Sequence, residues 1–394
     1  MQNKKENYIV IISTVPFPYG NASDNAIYTF MDGFQEHGCK GEVLCLYPNL
    51  PLEIEVPPQG DYLGVKFSYL HGRTHKSKNR IRNKIDYALL PSLLLKSYLK
   101  KLGKKYSITA LFVTHINEAY FKYTTICHSL GIKTVLVSCE YPEYLIDNSP
   151  ERKSRFIELS SKTDKYIFET KTLEEYTRNA LGKDIDSIVI PATMPFDDIL
   201  KCTRTETKPY IAYCGSIHSE AKDGLKSIIR AYSSFHNNFP EYDLKFIGRI
   251  SIDEYYVELR NLVDELGLHS FVSFAGGVDR KEYVQYLTNA TLMIVAKPKD
   301  SYYGGGLSSK VIEYLFSGNP VLMTDSDDYV NYLTHGENVY FVHDNDPITL
   351  SKALCELFES TEKMKAIGDG GKRYAMDHFN YHKTTKGLLE FILY

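Results

Sequence analysis

No apolar run in this 394-residue chain approaches the roughly 20 residues that a helix needs to span a bilayer, so no helical membrane span is expected. The opening stretch, MQNKKENYIVIIS, is charged before its short apolar run and lacks a small-residue cleavage site, so it is not read as a secretory signal. The seven cysteines are odd in number and scattered, without a C-x-x-C pair. That argues against a disulfide framework or a zinc site and for a reducing cytoplasm. No G-x-G-x-x-G follows the first apolar run, which weakens a dinucleotide-binding reading. A Walker P-loop is also missing: Lys310 follows Ser309 rather than Gly and precedes Val311. Short repeats and low-complexity tracts are absent as well.

What is present is a normal globular composition, 43% hydrophobic and 24% charged, which excludes disordered and fibrous classes. The length favours two domains. Short Val/Ile/Leu/Phe-rich runs alternate with helical periodicity, as in parallel sheets covered by helices. Strands are expected at YIVIIS, GEVLCLY, TALFVT, KTVLVS, KYIFE and SIVI. The cycle restarts after residue 208 with YIAYCG, DLKFIG, FVSFAG, TLMIVA, PVLMT and VYFV. Helices are expected over Asp24–His37 and Glu118–Leu130, among others. The proline-containing stretch near Pro191–Pro209 reads as a linker. The chain is therefore expected to be α/β, with two doubly wound Rossmann-like domains facing a cleft. The first spans residues 1–190, the linker 191–208 and the second domain 209–370, and a helical segment over 371–394 crosses back to the first. Ligands in such sheets bind beyond the carboxyl ends of the strands, so chemistry is sought in the residues that follow each run.

One such stretch is YYGGGLSSKVIEYLFSGNPVLMTD, residues 302–325. Glycines before a helix let backbone approach a ligand closely, and the first-turn N–H groups and the helix dipole attract anions. Gly304–Gly306 followed by Leu307 and Ser308 thus suit a phosphate or diphosphate; a plain flexible turn is the alternative. Val311, Ile312 and Leu315 form the apolar face of the helix, leaving Lys310 and Glu313 as i,i+3 neighbours. They are either a solvated ion pair of little weight or, for Glu313, a carboxylate able to accept two hydrogen bonds from a ribose diol.

The stretch GGGLSSKVIEYLFSGNPVL resembles the signature of family 4 (group 1) glycosyltransferases of the GT-B fold, in its polysaccharide-assembly variant. The resemblance implies that Glu313 binds the nucleotide ribose and that Gly306, Leu307 and Ser308 supply amides to the diphosphate and sugar. The family often has a second Glu eight residues earlier, where this chain has Gly305. AYCGSIHSEAKDGLKSIIRAY resembles the first strand and turn of the second domain, where the family clamps the diphosphate with Arg and Lys. Gly215 ends that strand and Lys222 matches the Lys, but Ser216 stands where the Arg is expected, so one charge-assisted contact is missing. VSFAGGVDRKEYVQYLTNATLMIV resembles the base-binding turn, with backbone near Val278 meeting the nucleobase. STVPFPYGNASDNAIYTF resembles the opening loop and helix, with Gly20 and Asn21 across the cleft from the donor phosphates and Asp24 alternatively a helix cap.

His115, at the end of ALFVTH, is the candidate catalytic residue, placed to hydrogen-bond the donor sugar or the reacting oxygen. Glu140 is a candidate on the acceptor side. A basic segment from His71 to Lys105 holds eleven Lys or Arg and one acid, Asp86, in a chain of net charge −3. It is either a solvated face or a contact with an anionic membrane surface. The rest of the chain is acidic, so no nucleic-acid partner is expected. The resemblance implies transfer of a sugar from a nucleotide-diphosphate donor to a glycan or lipid-linked acceptor. It also implies retention of configuration and no cofactor or metal. The expected location is cytoplasmic, at or near the inner membrane face. Two rival readings stay open: an epimerase or hydrolase on the same fold, and a non-catalytic subunit of an assembly complex.

Overall fold

The computed structural model describes residues 5–19, 22–113, 118–139, 149–205, 208–299, 307–325 and 327–394. The chain forms two compact units: Met1–Pro195 together with Asn380–Tyr394, and Phe196–Phe379.

The first unit is built on strands β1 (Glu6–Ser13), β2 (Lys40–Cys45), β3 (Gln59–Tyr62), β4 (Val65–Tyr69), β5 (Tyr106–Val113), β6 (Lys133–Ser138), β7 (Lys165–Phe168) and β8 (Ser187–Val189). Their order across the sheet is β3-β4-β2-β1-β5-β6-β7-β8. All neighbours are parallel except the β3–β4 hairpin. The unbroken apolar run of β1 follows from burial on both faces. Ile9 and Ile11 pack with Ile27, Met31 and Phe34, whereas Val10 and Ile12 face Leu95, Leu99, Phe112 and Tyr120. Asp24 lies in the first turn of helix Ala22–Glu36 and accepts the Tyr19 N–H, so it serves the helix start.

The β3–β4 hairpin was not anticipated from the sequence. Its strands are short and β3 is exposed along its whole length, whereas β4 alternates the buried Val65, Phe67 and Tyr69 with Lys66 and Ser68. Leu63 (φ 51°) and Gly64 (φ 90°) make its two-residue turn, where a positive φ suits glycine and is unusual for leucine.

The second unit has a six-stranded, all-parallel sheet: β9 (Tyr210–Cys214), β10 (Asp243–Ile247), β11 (Val272–Gly276), β12 (Leu292–Val295), β13 (Val321–Thr324) and β14 (Tyr340–Val342). The order is β11-β10-β9-β12-β13-β14. Helix Leu225–His236 buries Leu225, Ile228, Ile229, Tyr232 and Phe235 against this sheet, at the spacing of one helix face.

The stretch read as a linker, 191–208, is instead largely folded onto the second unit. Helix Asp197–Lys201 buries Ile199, Phe196 stacks on Phe316 with ring centroids 4.2 Å apart, and Arg204 donates to the carbonyls of Thr288 and Ala290 at 3.1 Å each. The return to the first unit falls at Asn380 rather than at 371. Asn380 accepts the His382 N–H, and helix Tyr381–Leu393 buries Leu388, Leu389 and Ile392 in the first unit's core. Tyr381 donates to Asp32 at 2.8 Å, which ties that helix to helix Ala22–Glu36.

Candidate functional site

Where the order of a parallel sheet reverses, the loops on either side leave in opposite directions and open a crevice at the strands' carboxyl ends. In the second unit the reversal falls between β9 and β12, because β10 and β11 add on one side and β13 and β14 on the other. In the first unit it falls between β1 and β5. The loop residues expected there, Gly20, Asn21 and His115, lie outside the described residues, as do Glu140, Gly305 and Gly306.

Beyond β9, Gly215 and Ser216 turn the chain toward helix Glu220–Asp223, which ends at Gly224. Gly224 has φ 64°, and a Cβ there would lie 1.9 Å from the Ala296 carbonyl oxygen. Only glycine allows this approach, which presses Lys222–Gly224 against the end of β12. Asp223, 4% exposed, is ion-paired with Lys310, and its second oxygen accepts from the Tyr213 hydroxyl at 2.6 Å. Lys310 also donates to Tyr213 at 3.2 Å. The stem of Lys310 runs beneath Gly215, whose Cβ would come 3.3 Å from Lys310 Cδ. Lys310 therefore sits directly behind the Gly215–Ser216 turn.

Burial works to raise the Asp223 carboxyl, but Lys310 and Tyr213 outweigh it and hold the group below its usual range, with Lys222 helping. For Lys310, burial pushes the ammonium below its usual range; Lys222 and Lys297 push the same way and Asp223 opposes them. Lys310 and Lys222 thus both act on the Asp223 carboxylate at the β9/β12 reversal. Cations gathered at the carboxyl end of a sheet suit an anionic ligand.

Helix Ser309–Ser317 starts at the same place. Tyr314 anchors it to the end of β9: its hydroxyl accepts the Cys214 N–H and donates to the Cys214 carbonyl, both at 2.7 Å. Leu307 is buried, and the Ser308 N–H is engaged by the Tyr329 hydroxyl. Gly318, at φ 77°, ends the helix.

Lys310 and Glu313 are not the solvated i,i+3 pair that their spacing allowed. Glu313 is buried and Lys310 half-buried, and they turn to different partners. Glu313, 5% exposed, pairs with Arg280 through one oxygen and accepts from the Tyr283 hydroxyl at 2.9 Å through the other. Arg280 in turn holds Asp198 with two bonds, of 2.7 and 3.0 Å. Burial raises the Glu313 carboxyl above its usual range, and Arg280 and Tyr283 only partly offset this. Two of the roughly four lone-pair directions of the carboxylate are used, leaving capacity for a vicinal diol.

Val278 is half-buried in the turn between β11 and helix Arg280–Asn289, whose N-cap Asp279 accepts the Glu282 N–H at 2.9 Å. Through Arg280 and Tyr283, the structure joins this turn to Glu313. Sequence reasoning missed Asp223, Tyr213, Arg280, Tyr283 and Asp198. The one local signal was the i,i+3 spacing of Arg280 and Tyr283, which puts both on one helix face.

Among the described residues, one group could hold a metal ion: Asp32, Glu36 and His382, in the first unit, with ligand atoms within 4.8 Å of one another. These side chains already staple two helices, His382 to Glu36 at 2.7 Å and Tyr381 to Asp32.

Residues 198–374, nearly the whole second unit, match the family model described as glycosyl transferases group 1. The solved structure of Anabaena HepE with UDP is similar over 97% of this chain and 98% of its own, with a TM-score of 0.72 and 14% identity. Sucrose-phosphate synthase from Thermosynechococcus elongatus is similar over 98% of both chains, with a TM-score of 0.73 and 16% identity. An uncharacterized glycosyltransferase of Methanocaldococcus jannaschii, MJ1069, is 23% identical over 163 residues, covering 41% of this chain and 40% of that protein. Over residues 198–374 the second unit thus resembles the group 1 glycosyl transferases, and the chain as a whole has the GT-B fold.

Proposed function

We propose that this protein is a glycosyltransferase that moves a sugar from a nucleotide-diphosphate donor to a hydroxyl of a glycan or lipid-linked carrier. The observation that carries the reading is the placing of the Lys310–Asp223 pair at the β9/β12 reversal, one helical turn from the buried Glu313. HepE structures with UDP and with UDP-glucose support a uridine nucleotide as the first donor to try.

In this reading Glu313 accepts the ribose diol and the backbone at Val278 meets the base. The departing diphosphate gathers negative charge, which Lys222, Lys310 and the N-terminus of helix Ser309–Ser317 stabilise. Lys310 supplies the cation missing at Ser216, since its stem lies under the neighbouring Gly215. Gly306, Leu307 and Ser308 contribute amides, with Ser308 released from Tyr329 on binding. Gly20 and Asn21 approach the phosphates, His115 orients the sugar, and Glu140 serves the acceptor. No covalent sugar adduct is needed: the leaving phosphate takes the acceptor's proton, configuration is retained and no metal takes part. A role in cell-surface polysaccharide assembly follows from the S-x-K-x-x-E-Y-L pattern at Ser308–Leu315.

A thermal-shift screen of UDP-, GDP-, dTDP- and ADP-linked sugars tests the reading. One donor is expected to raise the melting temperature of the native protein and not that of Glu313→Ala. Donor turnover should be slow until a glycan or lipid-linked acceptor is added. Equal stabilisation of both proteins, stabilisation by none of the donors, or full turnover without acceptor would overturn it.

A further inference from the structure

We infer that the outward face of the two helices Arg80–Ala88 and Leu90–Leu102 docks on an anionic lipid surface. The first helix is capped by Asn79, which accepts the N–H groups of Ile81 and Arg82 at 2.9 and 3.2 Å, and the second follows directly after Leu89. Four large aliphatic side chains in this segment face water: Ile81 is 71% exposed, Ile85 45%, Leu89 63% and Leu93 68%. They recur every four residues, so Ile81 and Ile85 stand one above the other on the same face of the first helix.

At about 100° per residue, Arg82 and Lys84 fall on either side of this stripe, while Asn83, Asp86 and Tyr87 fall on the opposite side. The inward groups have partners within the first unit. Asn83 bonds the Ser77 backbone, Tyr87 stacks on Tyr47, and Asp86 pairs with Arg73 beside His71. Asp86 is the one acid between His71 and Lys105, and it is buried and spent on that pairing. The exposed charges of the segment are therefore all cations, among them Arg80, Arg82 and Lys84 on the first helix and Lys96, Lys100 and Lys101 on the second.

An apolar centre with cationic margins matches a bilayer interface, where aliphatic groups enter the acyl boundary and cations meet lipid phosphates. Nucleic acid would reward the cations but not the four aliphatic side chains. A second copy of this chain meeting the same face would set cation against cation. No helix among the described residues is long and apolar enough to cross a membrane, so this contact would be peripheral. The inference bears on the proposed function through the lipid-linked acceptor, which such a surface would bring within reach.

The test is flotation of the purified protein with phosphatidylcholine vesicles, with and without phosphatidylglycerol, at low and high salt. Native protein should partition onto the anionic vesicles, weaken with salt and bind the neutral ones poorly. Each cation near an anionic leaflet is worth about fivefold in partitioning, so Arg80→Glu with Arg82→Glu and Lys84→Glu should lower it by more than about a hundredfold. Ile81→Ser with Ile85→Ser should lower it by about tenfold or more. Equal partitioning of native protein and variants, absence of partitioning, or a native dimer that the Ile→Ser variant dissolves would overturn the inference. The donor thermal shift, measured on the same variants, separates the two proposals. Variants that keep the shift but leave the vesicles support docking. Native protein that binds vesicles but responds to no donor leaves docking standing and removes only the donor reading.

Discussion

The two units share one architecture and use their buried charge differently. In the first, buried charged groups fasten elements together: Asp24 serves the start of a helix, Lys165 donates to the Phe391 carbonyl of the C-terminal helix at 2.7 Å, and Asp86 holds a surface helix through Arg73. In the second, Asp223–Lys310 and Glu313–Arg280 gather at the carboxyl end of the sheet, around the strand reversal. The comparison teaches that a doubly wound fold offers a crevice wherever its strand order reverses, and that buried charge gathered at one reversal marks where a ligand is to be sought.

The sharpest way to break this comparison is to remove Asp223. Asp223→Asn leaves the Lys310 ammonium buried without its counter-charge, and urea unfolding should report a loss of about 3 kcal/mol or more. Adding Lys310→Met should restore most of that stability, but not stabilisation by donor. A cost below about 1 kcal/mol for Asp223→Asn would show that the pair is hydrated and the contrast with the first unit is empty.

Next in size is the effect of Glu313→Gln on donor affinity, expected to be a weakening of about tenfold to a hundredfold in a titration, because a buried charged acceptor is lost. Its effect on unfolding without donor should be smaller, since Arg280 keeps Asp198 and remains partly exposed.

Acid should then separate the two carboxylates. Glu313 has a folded value raised above the ordinary 4.5, so donor affinity is full above that raised value and falls as pH drops through it. Asp223 has a folded value depressed below the ordinary 3.8. Its contribution to stability is therefore fully present above the unfolded value and is lost as pH falls through the lower, folded one. Donor binding should fail before the second unit does. Glu313→Gln should flatten the first transition and leave the second.

The smallest effects belong to the first unit. Asp86→Asn should cost about 1 kcal/mol, because Arg73 is partly exposed and can rehydrate. Ile81→Ser should leave unfolding within about 0.5 kcal/mol of native, since that side chain lies mostly in water.

Much of the fold was legible because its signals are local. Each run expected as a strand is one, from β1 to β14, since strands buried on both faces read as short apolar runs bounded by turn residues. In the β3–β4 hairpin, the exposed β3 gave no such signal and β4 carried only the alternation of Val65, Phe67 and Tyr69. Within the candidate site, Gly215, Lys222 and Glu313 could be singled out because a loop followed by a helix start is readable in sequence. Lys310 was dismissed with the P-loop it failed to complete, and Arg280 passed for an ordinary helix residue.

By itself the amino-acid order determined the alternation of strand and helix, the two sheets and the cationic stretch around Arg80. Only the tertiary structure decided that Lys310 meets Asp223, 87 residues away, and that Glu313 meets Arg280, 33 residues away. The physical reason is that such pairings depend on which strands become neighbours, and that order is set by packing of the whole sheet rather than by any short stretch.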